Sequence, residues 1–200
     1  MSCIFFVHTF SPINHDENCL EIAAKISPHP TVQWIHNHAK IDDNVEIQVG
    51  DDLTLTINDE IVEKCKDSGI VLIAGGIGIN PFLSMLDYFK KNKSNCKVTL
   101  INVSKTEEED IFKERLKQLD IDNVDIYTFY SEGRREIPER AVDILKKVKT
   151  DENSSPRTYL CGPGGFMVQF SEILSKIGYS TPITEKWASL AFDLHNKQQK

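Results

Sequence analysis

Residues Ile70-Val71-Leu72-Ile73-Ala74 run without a polar side chain into Gly75-Gly76-Ile77-Gly78-Ile79-Asn80-Pro81, and that stretch decides the fold. A short apolar run bounded by turn signals suits a strand covered on both faces, as at the centre of a parallel sheet. The glycines behind it allow a sharp turn and close approach of backbone to a ligand. From Pro81 to Lys91 the residues Phe82, Met85, Leu86 and Phe89 fall at helical spacing. A helix starting there points unpaired N–H groups and the positive end of its dipole at the turn, which suits a pyrophosphate. Pro81 stands where the common dinucleotide fingerprint has its third glycine, so a plain tight turn also fits these residues.

The alternation continues downstream. Strands are expected at Lys97 to Val103, Val124 to Tyr130 and Arg157 to Cys161. Helices are expected at Glu107 to Leu119, Pro138 to Val148 and Phe166 to Ile177, the last closed by Gly178. Strands separated by helices in this way imply right-handed crossovers and an α/β, doubly wound parallel sheet over residues 69–193. Residues 1–60 read as β-rich, with strand candidates at Leu20 to Ile26, Val45 to Val49 and Leu53 to Ile57, and a short helix at Pro30 to His38. The boundary between the two units falls near Glu60 to Ser68.

A second glycine turn follows the last expected strand, in Tyr159-Leu160-Cys161-Gly162-Pro163-Gly164-Gly165-Phe166-Met167. Two such turns at the C-terminal tips of the first and fourth strands lie near the switch point where open α/β sheets bind ligands. A lone cysteine is most simply a small buried apolar residue; the strand-tip position of Cys161 gives it a second reading.

Composition narrows the function classes. The 200 residues carry a net charge of −7, with 40% hydrophobic and 26% charged side chains. That balance argues against nucleic acid and against an anionic membrane surface. It suits a basic redox partner or simply a solvated surface. Five cysteines without a CxxC spacing indicate neither a disulfide framework nor a structural zinc, and so favour a reducing compartment. No apolar run reaches the roughly 20 residues of a membrane span. His36 and His38, two apart on the expected helix, point to different sides of it, so no metal site is expected.

Taken together, Gly75-Gly76-Ile77-Gly78-Ile79-Asn80-Pro81 and Cys161-Gly162-Pro163 resemble the ferredoxin–NADP reductase superfamily. Within it the chain is similar to the oxidoreductase NAD-binding domain-containing proteins, through Trp34-Ile35-His36-Asn37, Val49-Gly50, Glu132-Gly133-Arg134 and Glu185-Lys186-Trp187. The resemblance implies an oxidoreductase module that binds a nicotinamide dinucleotide and passes hydride to a flavin. Gly75, Gly76, Ile77, Gly78, Ile79, Asn80 and Pro81 would shape the pocket for the pyrophosphate and nicotinamide ends. Cys161 would sit beside the nicotinamide C4, with Gly162 and Pro163 along the nucleotide. Ser104 and Lys105 open a segment, Ser104 to Ile111, that resembles the adenosine-ribose loop of NADH-using reductases. Its acidic residues would repel a 2′-phosphate, which favours NAD, whereas Arg134 and Arg135 would favour NADP; the same charge run also suits the first turn of a helix. Trp187 resembles the aromatic residue near the flavin, and a partly buried surface tryptophan is the plainer reading.

The flavin side departs from the family. Its Arg-x-Tyr/Phe-Ser motif is represented by His8-Thr9-Phe10-Ser11, which keeps Phe10 and Ser11 but has His8 in place of the arginine. A fixed charge for the FAD phosphate is thereby lost. The first 60 residues are expected to form only a partial antiparallel β-barrel, so FAD binding stays open. A nucleotide-binding or interaction module without redox turnover is the alternative, and a structural remnant a third. By resemblance the protein would be mitochondrial, although Met1 to Val7 carries no basic residue of a targeting helix.

Overall fold

The structure is a computed structural model that describes residues 20–46, 55–134, 136–149 and 155–184. In chain order its elements are α1 (Pro30–Asn37), α2 (Asp59–Lys64), β1 (Ile70–Gly75), a 3-10 turn (Gly76–Ile79), α3 (Asn80–Asn92), β2 (Val98–Ser104) and α4 (Lys113–Gln118). There follow β3 (Val124–Tyr130), α5 (Glu139–Val148), β4 (Arg157–Cys161), α6 (Gly164–Lys176) and β5 (Ile183–Thr184).

The strands form one five-stranded sheet in the order β3-β2-β1-β4-β5. Every pairing is parallel. The chain first winds outward from β1 to β2 and β3, then crosses back to β4 and β5 on the other side of β1. The crevice of such a sheet therefore opens between the C-terminal ends of β1 and β4. All of β1 and β2 is buried, which explains the unbroken apolar run of Ile70 to Ala74; β2 buries Thr99, Asn102 and Ser104 among its apolar residues.

Alternate residues of the central strands feed two cores. Ile70, Leu72, Leu100 and Tyr159 pack with Phe82, Leu86 and Phe89 of α3 and Leu116 of α4. Val71, Ile73, Ile101 and Leu160 pack on the opposite face with Ala141 and Leu145 of α5 and Phe170 and Leu174 of α6. Tyr159 is fully buried, and its hydroxyl donates to the Thr56 carbonyl at 3.0 Å while accepting from Arg157 Nε at 2.7 Å. The bond to Thr56 fastens the segment before α2 to the sheet.

Several expectations are corrected. The helix expected from Glu107 is shorter, beginning at Lys113. Asp110 is instead drawn inward, 7% exposed, to accept from Asn102 Nδ2 at 3.3 Å, and Thr106 Oγ1 accepts the Glu109 N–H at 3.3 Å. Those side-chain bonds hold residues 105–112 in turns, a common way for Thr and Asp to compete with a helix. Leu20 to Ile26 is not a strand, having only an isolated bridge residue at Ile22. Its carbonyls go to side chains, Ala23 to Asn80 Nδ2 at 3.0 Å and Ala24 to His36 Nε2 at 2.9 Å. Helix α6 starts two residues earlier than expected, at Gly164, and the short edge strand β5 was not foreseen.

The antiparallel barrel does not appear among the described residues: 45, 46 and 55–57 are outside any strand. Residues 47–54, which hold the rest of those two strand candidates, lie outside the described residues. No helix among the described residues is long and apolar enough to cross a membrane.

Phe82 is wholly buried beneath β1 and β2. Phe82→Ala is expected to lower stability by about 3–5 kcal/mol in urea unfolding, with the slope of the transition unchanged; a loss below about 1 kcal/mol would contradict the placement of this core.

Candidate functional site: two glycine turns at the sheet's switch point

Register brings the two glycine turns together. Ala74 pairs with Cys161 across β1 and β4, so the chain leaves both strands at the same level of the sheet. At Gly78 an added Cβ would lie 2.4 Å from the Cys161 carbonyl oxygen and 2.8 Å from the Gly162 nitrogen. At Gly162 it would lie 3.0 Å from Gly75 Cα and 2.8 Å from the Phe166 ring. At Gly75 it would meet the same ring, also at 2.8 Å. These three glycines thus let two backbones and one aromatic ring pack directly. Phe166, whose ring lies 4.7 Å from that of Phe170, is the floor on which both turns rest. Sequence reasoning missed it, since an aromatic in the first turn of a helix carries no sign of what it covers.

Other glycines face open space. Gly76 has φ +54°, which favours glycine, and nothing lies within 4 Å of its Cβ position. Gly164 and Gly165 are equally open. Helix α6 begins at Gly164, behind Pro163, without a side-chain cap; the 3-10 turn and α3 also lack one. Uncapped N–H groups beside open glycines fit the requirements of a phosphate-binding helix start.

The expected site residues therefore sort by position. Gly76, Ile77, Pro163 and Lys105 are exposed at the C-terminal edge, Ile77 by 38%, together with Gly164 and Gly165, which the sequence had not singled out as site residues. Gly162 is half-buried between the turns, while Gly75, Gly78, Ile79, Asn80, Pro81, Cys161 and Ser104 lie beneath them. Cys161 is 7% exposed and packs in the core that α3 covers. Asn80 is 4% exposed and ties α3 to the N-terminal segment through Ala23. Phe10, Ser11, Arg135 and Trp187 lie outside the described residues.

The tips of β2 and β3 form the other end of the edge. Ser131 N–H donates to the Ser104 carbonyl at 2.9 Å and Glu132 N–H to the Lys105 carbonyl at 2.7 Å. Cations here meet carboxylates: Lys105 with Glu109 at 3.5 Å, Arg134 with Glu132 at 3.3 Å, and Lys113 with Glu107. Burial pushes the Asp110 carboxyl up, partly opposed by the Phe112 N–H and the Asn102 amide. Tyr130 is also raised, first by burial and then by the charges of Asp110 and Glu107. Both shifts come first from burial at this corner. A separate groove of about 690 Å³ runs between β3 and α5, lined by Asp125, Tyr127, Arg140 and Lys147 among others. It lies on the sheet's outer edge, away from the glycine turns, and has none of their open backbone.

The family described as the oxidoreductase NAD-binding domain matches residues 72–172, which run from β1 into α6. Flavohemoprotein B of Dictyostelium discoideum is 32% identical over 151 residues, covering 72% of this chain and 34% of that protein. Oxidoreductase NAD-binding domain-containing protein 1 of Bos taurus is 27% identical over 203 residues, covering 86% of this chain and 61% of that one. The chain thus spans about one third to three fifths of the length of these relatives.

Among solved structures, the flavohemoglobin of Malassezia yamatoensis, with bound FAD and heme, superposes with a TM-score of 0.64 at 22% identity, covering 88% of this chain and 45% of that one. A ferredoxin NADP+ reductase of Neisseria gonorrhoeae, with bound FAD and NADP, gives 0.60 at 20% identity, covering 88% and 78%. These two share the fold. With its family match running across both turns and the strands between them, the chain belongs to the oxidoreductase NAD-binding domain family.

Proposed function

We propose that this chain is the dinucleotide-binding module of an NAD(P)H-dependent flavin oxidoreductase, with NADH as the favoured donor. The observation that carries the reading is the contact of the Gly75–Gly78 and Gly162–Gly165 turns across the switch point, with open glycines and uncapped helix starts above it. The pyrophosphate would lie on Gly76, Gly164 and Gly165, where backbone N–H groups and helix dipoles meet its charge. The adenosine end would extend over Ser104 and Lys105, towards the paired cations at the β2 and β3 tips. With Lys105, Lys113 and Arg134 each engaged by a carboxylate, a 2′-phosphate gains little there.

The nicotinamide end would lie over the β4 tip beside Cys161. When bound, a nicotinamide and a flavin supply the redox chemistry themselves, and the protein's contribution is orientation and exclusion of water. Cys161 is suited to that by its fixed place: its carbonyl packs on Gly78 and its strand register is locked to β1. Phe10, Ser11 and Trp187 are proposed for the flavin side on the strength of the sequence resemblance. His8 in the arginine position supports the alternative of a nucleotide-binding module without turnover. Lowered turnover in Cys161→Ala, by about 10- to 100-fold with NADH affinity nearly unchanged, is the expected signature of an orienting residue. Diaphorase rates and NADH titrations on the same preparation check it; NADH binding by the unaltered chain with no turnover would select the alternative.

Glycine substitutions separate packing from binding. Gly78→Ala is expected to cost about 1–3 kcal/mol of stability, because the clash is with backbone. Gly164→Ala meets nothing and is expected to leave stability unchanged or raised, yet to weaken NADH binding roughly tenfold by obstructing N–H contacts. Thermal melts and fluorescence titration test both; unweakened binding in Gly164→Ala would remove the pyrophosphate from this turn.

A further inference from the structure

The adenosine-side edge carries more positive charge than its acidic sequence suggests, and one carboxylate holds two of its cations. Glu109 Oε2 lies 2.7 Å from Lys25 Nζ, and Glu109 Oε1 lies 3.5 Å from Lys105 Nζ. Lys105 directly follows the last residue of β2. Lys25 comes from 84 residues away in sequence. Its segment is held in place by Asn80 on the Ala23 carbonyl at 3.0 Å, His36 on the Ala24 carbonyl at 2.9 Å and Arg115 on Glu21 at 3.2 Å. The lysine is thus delivered to the loop by an anchored backbone. Hydrogen bonding to Lys25 holds the Glu109 carboxyl below its usual range, with Lys105 adding to the effect.

In a doubly wound sheet the adenosine ribose lies at the end of the second strand, where an acid accepts its 2′-hydroxyl or a cation meets a 2′-phosphate. Both chemistries are present here, and they neutralise each other. Two lysine ammonium groups from two directions would suit a phosphomonoester; one carboxylate, with one oxygen for each, occupies both. The neighbouring acids have other duties. Glu107 pairs with Lys113, and Asp110 is buried against Asn102.

We infer that Glu109 sets this site's choice between NADH and NADPH, by holding Lys25 and Lys105 out of reach of a 2′-phosphate. The inference rests on the dinucleotide reading above and sharpens it. Discrimination comes from one residue engaging two cations, and the general repulsion of an acidic loop is secondary. Lys25, in the N-terminal segment, then belongs to the specificity machinery.

The test is a set of titrations of the full chain with NADH and with NADPH, followed by nicotinamide fluorescence. In Glu109→Gln the ratio of the NADPH to the NADH dissociation constant should fall by about tenfold or more, as expected when a charged contact to phosphate is released. Adding Lys25→Ala to Glu109→Gln should return most of that change. Glu108→Gln removes one negative charge from the same loop without freeing either lysine, and should move the ratio much less. An unmoved ratio in Glu109→Gln, or an equal shift in Glu108→Gln, would overturn the inference and leave the dinucleotide site standing. Failure of the unaltered chain to bind either nucleotide would overturn the site itself.

Discussion

Gly78 approaches the end of β4 so closely that one methyl group there would sit 2.4 Å from the Cys161 carbonyl oxygen. The remaining geometry of the C-terminal edge depends on that contact. Parallel pairing of Ala74 with Cys161 sets the two chains side by side, and the missing Cβ atoms of Gly75, Gly78 and Gly162 let their turns close on each other above Phe166. Helix α6 then starts at the lip of the crevice without a side-chain cap. A sheet of this order places its crevice there in any case. What this sequence adds is the division of its glycines, some shaping the protein against itself and others leaving backbone open to a ligand.

Electrostatics complete the edge. A net charge of −7 describes the whole chain but misdescribes this corner, where lysines and arginines alternate with acids in close pairs. Such exposed pairs add little to stability. Their consequence is for recognition: a cation already engaged offers less to an incoming phosphate. The Asn102–Asp110 bond beneath them fixes the loop that presents Glu109. The N-terminal segment reaches the same loop through Lys25.

The sheet was legible in the sequence because its central strands are covered on both faces, which makes β1 an unbroken apolar run and leaves β2 and β4 mostly apolar. Both glycine turns were legible for the same reason, as interruptions at the ends of those runs. The helix expected at Glu107 was misread because Thr106 and Asp110 turn their side chains onto the backbone and onto Asn102, a competition that helical periodicity does not reveal. Leu20 to Ile26 was misread because its carbonyls are taken by Asn80 and His36, residues distant in sequence. The salt bridge from Lys25 to Glu109 and the role of Phe166 as a floor were likewise invisible, since both exist only once separate elements meet. Of the candidate site, its location at the strand tips was readable. Which glycines pack and which stay open required the turns to be seen together.

The most direct test is a crystal structure of the chain grown with NAD⁺ or ADP-ribose, read at the position of the pyrophosphate. That density is expected between Gly76 and the Gly164–Gly165 start of α6, with the adenosine running towards Lys105. A pyrophosphate in the groove between β3 and α5, or crystals that take up neither ligand at saturating concentration, would contradict it.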